Sequence, residues 1–149
     1  MEKVFEDYFS ELQTDMVAIC MEYSEHKVDD IYIYCSYELN MYAFDVFFKA
    51  QDMVVHTHKL NEIYPEIDTS IERQKAMINI GNQNLKLIND ICGEYNHDMP
   101  TEIKLHYNVK ENSLQAKYKY ELVYSNNEDI LPHDPFDEWF EEIKNESTE

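Results

Sequence analysis

The sequence predicts an α+β domain. It reads as an antiparallel sheet of about five strands with helices packed mainly on one face, in the order α-β-β-β-α-β-β-α. Three observations carry this. Between Ile31 and Leu60, three short β-rich runs follow one another with tight connections. From Glu102 to Tyr124, apolar and polar residues alternate. Around these lie three stretches in which apolar residues recur every three or four positions, the period of a helix with one buried face.

The first helix is predicted from Val4 to Tyr23, with Phe5, Phe9, Leu12, Met16, Ile19 and Tyr23 on one stripe. "IYIYCSYEL", "MYAFDVFFK" and "MVVHTHKL" then read as a three-strand meander. In the first of them both faces are apolar, since Tyr32 and Tyr34 alternate with Ile31, Ile33 and Cys35. A long helix is predicted from Ile67 to about Tyr95, capped by Thr69 or Ser70. Gly81 sits inside it, where a glycine costs ~1 kcal/mol relative to alanine. Ile103, Leu105, Tyr107 and Val109 form one face of a hairpin, continued by Leu114, Ala116, Tyr118, Tyr120, Leu122 and Tyr124. Tyr118 and Tyr120 share the parity of Leu114 and are expected in the core. "HDPFDEWFEEIKNESTE" closes the chain. Asp134 is expected to cap a helix of about residues 134–145, with Pro135 at its first helical position, and 146–149 are expected to be disordered. Phe136, Trp139, Phe140 and Ile143 would bury its apolar side. Residues 1–149 read as a single domain, a length that supports one hydrophobic core.

Charge narrows the function. The chain holds 31 acidic and 12 basic residues, a net charge of -19. Such a surface repels phosphates, which argues against nucleic acid or anionic membrane as ligand, and favours a cationic partner. Residues 1–30 hold 9 acids and 2 bases, and residues 121–149 hold 10 and 1. Residues 101–120 run the other way, with 4 bases against 2 acids.

Catalytic and metal motifs are sparse. Cys20, Cys35 and Cys92 lie in apolar surroundings with no CxxC spacing, as expected for free thiols in a reducing cytoplasm. Glu2, Glu6 and Asp7 stand where a signal peptide would be basic, and no apolar run approaches the ~18 residues of a membrane span. His56 and His58 would share a strand face, but a metal site needs further ligands, and His97, His106 and His133 are scattered. No metal and no cofactor are expected. With Gly81 and Gly93 as the only glycines, there is no phosphate-cradling loop. No activated nucleophile stands out either, so no enzymatic activity is expected.

The acidic end is the most informative surface. Asp137, Glu138, Glu141 and Glu142 fall opposite Phe136, Phe140 and Ile143, and Glu128 and Asp129 precede them. These, with Asp29 and Asp30 as secondary candidates, are the expected contacts to Lys or Arg of a partner. The bland alternative is a solvated amphipathic helix.

The stretch from Tyr95 to Asn145 resembles the YezG-type immunity proteins, which neutralise secreted polymorphic nuclease toxins. "MPTEIKLHYNV", the hairpin "NSLQAKYKY" and the terminal "FDEWFEEIKN" carry the resemblance; Thr101 after Pro100 departs from the tryptophan of nearer members. The resemblance implies a cytoplasmic, cofactor-free antitoxin that binds a cognate basic toxin of nuclease type. An acidic adaptor, or a nucleic-acid mimic that inhibits a host protein, is the alternative reading.

Overall fold

A computed structural model describes residues 4–147. Its elements are α1 (Phe5–Tyr23), β1 (Asp30–Glu38), β2 (Met41–Ala50), β3 (Met53–His56), a 3-10 turn (Thr57–Glu62), α2 (Ile71–Glu94), β4 (Glu102–Asn108), β5 (Ser113–Lys119) and α3 (Asp134–Ser147). The strands form one antiparallel sheet in the order β3-β2-β1-β4-β5. The expected class and element order are both present.

Strand parity divides the sheet into two faces. Ile31, Ile33, Cys35, Phe44, Val46, Phe48, Ile103 and Leu105 pack with Met16, Cys20, Met77, Leu85 and Ile88 of α1 and α2 in the main core. Tyr32, Tyr34, Phe47 and Val54 point the other way and meet Phe136, Trp139 and Phe140 of α3. Two long helices thus cover one face and the short third helix takes the opposite one. The doubly apolar β1 is explained by this arrangement, because both of its faces are buried.

Gly81 also finds its reason. The Phe44 ring lies against it, in the space a β-carbon would occupy. The flexibility lost to a helix glycine is exchanged for a close approach of α2 to β2.

Several boundaries differ from expectation. α2 starts at Ile71, where Ser70 Oγ accepts from the Arg73 amide at 3.3 Å; Ile67 is buried in the preceding connection. β3 ends at His56, so His58 belongs to the 3-10 turn and not to a strand face. β5 ends at Lys119. Beyond it the chain is pulled across the end of β1 by Glu38, whose buried carboxylate accepts from the amides of Val123 at 3.0 Å and Ser125 at 3.1 Å. Tyr118 and Tyr120 are not core residues: they are 40% and 47% exposed, because α1 packs on α2 and β1 and leaves the β5 side of the sheet thinly covered. α3 continues through Ser147, so Glu146 and Ser147 are helical rather than disordered; Thr148 and Glu149 lie outside the described residues.

Candidate partner-binding surface

The sequence of α3 places aromatic residues on one side and acids on the other, and the sheet fixes which side faces out. Phe136, Trp139 and Phe140 are buried. Trp139 meets Phe47 edge-on at 5.2 Å between ring centroids, and Phe140 does so at 5.3 Å. His56 stacks on Phe140 at 3.8 Å. Each such ring, fully buried, contributes ~1.5–3 kcal/mol. Asp134 Oδ2 accepts from the Leu131 amide at 2.8 Å and ties the entry to the helix. Asp137, Glu138, Glu141 and Glu142 are therefore held outward on a helix whose orientation is set by its buried side, and all four are exposed.

The other expected contacts fare differently. Glu128 and Asp129 are exposed in the connection leading to α3. Asp29 is exposed, and its carboxylate accepts from the Gln51 amide at 3.1 Å, bracing the β2–β3 turn. Asp30 does not belong to an outer acidic surface. It is 9% exposed and its Oδ1 lies 2.8 Å from His106 Nε2 across the β1–β4 pair. The acidic α1 packs on the face of the sheet opposite α3, so the two acidic ends of the chain do not build one surface.

Histidines that are far apart in the sequence gather at the start of α3. His133 Nδ1 lies 2.9 Å from Asp137 Oδ2 and 3.6 Å from Asp134 Oδ1. The hydrogen bond to Asp137 raises the His133 pKa. These three residues could offer a cation three ligand atoms within 4.8 Å of one another. The signal was present in "HDPFD", since a helix brings positions four apart together. Nearby, burial lowers the pKa of His56, helped by the charge of His58. Burial also raises that of Asp45, with Asp137 adding to it.

One flank of α3 meets the basic hairpin. Lys104, His106, Gln115 and Lys117 line a cleft of about 210 Å³ against Trp139, Glu142 and Glu146, and Lys104 Nζ sits 5.5 Å from the Trp139 ring. The acidic field of α3 is therefore partly met on this side and open on the other. The thiols of Cys20 and Cys35 are buried and pushed up by that burial, which makes both poor nucleophiles. The arrangement can attract and hold cationic groups. No protein-family model matches the chain, and no curated protein matches it significantly.

Proposed function

We propose that the protein is a cytoplasmic immunity protein that binds and neutralises a cognate basic toxin of nuclease type, with the outer face of α3 as its principal contact. The observation that carries this is the fixed acidic face: six carboxylates and one ammonium on a 14-residue helix held down by three buried aromatic rings. A floppy acidic tail would lose conformational entropy on binding, whereas a docked helix presents its charges already placed. Nuclease domains are commonly basic because they hold phosphates, and opposite charge accelerates encounter by ~10- to 1,000-fold. The resemblance to YezG-type proteins and three free, buried cysteines, which suit a reducing compartment, support the same reading. No cofactor is required.

The test is association with the product of a neighbouring toxin gene. Wild-type on-rates should fall steeply with added salt. Glu138→Lys, Glu141→Lys and Glu142→Lys together should slow association and weaken protection of cells. Full protection by the triple variant, with salt-independent association, would refute α3 as the contact.

A further inference from the structure

A second surface lies on the far side of the sheet from α3. β5 is an edge strand, paired with β4 alone among the described residues. Its outer flank is open to a groove whose opposite wall is α1. Two concavities run along this groove. One, of about 280 Å³, is lined by Phe5, Glu6, Phe9, Ser10, Tyr118 and Tyr120 among others. The other, of about 610 Å³, is lined by Val17, Ala18, Met21, Glu22, Tyr107 and Leu114 among others. Within the first concavity Gln13 Nε2 donates to the Tyr118 hydroxyl at 2.7 Å and ties α1 to β5.

The dimensions and side chains match an extended polypeptide. The α1 wall carries Glu6, Ser10, Thr14, Ala18 and Glu22 at four-residue steps, spanning ~24 Å at 1.5 Å per residue. A seven-residue strand is ~23 Å long, and β5 itself has seven residues. The middle of the wall is short side chains, which leave room, and the ends are carboxylates. Leu114, Tyr118 and Tyr120, which line the two concavities, are 37%, 40% and 47% exposed, a concentration that marks an interaction site rather than scattered surface residues.

We infer that this groove accepts an extended segment of another protein as a sixth strand beside β5. Backbone hydrogen bonds to the free edge supply affinity, and alternate apolar side chains enter the two concavities. Lys or Arg at the ends of the segment meet Glu6 and Glu22. The opposite parity of the segment runs alongside Lys117 and Lys119, which favours acidic or polar residues there. A second copy of the chain fits poorly. Each copy carries -19, and lysines on an edge strand discourage pairing with its own kind. This site does not depend on the acidic face of α3.

The probe is a library of random dodecamer peptides displayed on phage and selected against the full chain, with binding of the enriched peptides then measured by fluorescence anisotropy. Enrichment of alternating apolar sequences with basic ends is expected. Leu114→Glu and Ala18→Trp, both at exposed positions, should each weaken binding at least tenfold while leaving the melting curve intact. N-methylation of alternate peptide amides should abolish binding, because strand addition needs those donors. The α3 triple variant should bind the same peptides within twofold, which separates this site from the proposed toxin contact. Absence of any enriched peptide overturns the inference, as does indifference to the groove variants or to N-methylation. Sedimentation showing a dimer of the free protein that Leu114→Glu dissolves would assign the edge to a second copy and overturn it as well.

Discussion

The Phe44 ring lies against Gly81 with no room between them for one more carbon. On an exposed helix, Gly→Ala would add ~1 kcal/mol of stability. Here overpacking of a filled core should cost ~1–3 kcal/mol, and the second effect should win. Gly81→Ala is expected to lower the urea midpoint, and adding Phe44→Leu should restore part of the loss. A raised midpoint for the single variant would contradict the packing described.

Tyr34 and Glu102 form a polar pair in an apolar setting. The hydroxyl donates to Oε2 at 2.7 Å, and both residues are buried, at 1% and 3% exposure. Lys119 and Lys104 stand 3.8 Å and 3.9 Å from Oε1. Burial first, and then the bond to Glu102, push the Tyr34 phenol well above its ordinary pKa. Tyr34→Phe leaves a buried carboxylate short of one donor, which should cost ~1–3 kcal/mol. A double-mutant cycle with Glu102→Gln should show coupling of ~0.5–3 kcal/mol. Additive effects would mean that the two groups act independently.

Trp139 should be the largest single anchor of α3. Trp139→Ala is expected to cost ~3–5 kcal/mol, whereas Glu138→Lys on the outer side should change stability by no more than ~0.5 kcal/mol. Deleting residues 134–149 should lower the melting temperature and expose Tyr32, Tyr34 and Phe47. Thermal denaturation followed by tryptophan-independent circular dichroism checks all three.

Acidification should loosen α3 through His56. Its folded pKa lies below the ordinary 6.5 because burial disfavours the imidazolium, with His58 and Lys59 adding to the effect while Asp137 and Glu141 oppose it. A lowered histidine pKa means that the unfolded chain binds the proton more readily. The contribution is present above pH ~6.5 and declines as pH falls through that value towards the folded pKa. His133 acts in the opposite sense: its raised pKa supports the fold at low pH and is lost as pH rises through it. His56→Phe should keep the stack on Phe140 and flatten the acid side of the stability profile, while His133→Gln should not. Melting curves between pH 5 and 8 distinguish the two.

Periodicity made the elements legible because each buries a face. What it left open was reach. Parity correctly put Tyr118 on the side of Leu114, but no pattern in β5 tells how far α1 extends across the sheet, and it meets β5 only lightly, through Phe9 and Gln13 at Tyr118. The third helix could have been placed: Ile31–Tyr34 is apolar on both parities, so a second cover was required, and only the aromatic side of α3 remained to supply it. The acidic face of α3 is legible from charge alone, but the burial of Asp30 is not, since a tally along the chain does not register that His106 arrives beside it from 76 positions away. His133 was overlooked for a different reason. Its partners, Asp134 and Asp137, read equally well as a helix cap and an outer carboxylate, so their sequence positions alone do not mark them as its neighbours.

The two hairpins of the meander turn through Leu39-Asn40 and Gln51-Asp52, all four residues with positive φ and none of them glycine. Left-handed backbone costs a side chain such as that of Leu39 or Gln51 ~1–2 kcal/mol, while the short polar side chains of Asn40 and Asp52 tolerate it, so each turn carries one strained residue. Pairing is then expected to be driven by the apolar strips of β1 and β2 meeting in register, with the nucleus for folding expected in the strands rather than at their tips. Substituting Asn-Gly for Leu39-Asn40 would move that nucleus outward, quickening collapse of the meander while leaving the native arrangement of the sheet as it is.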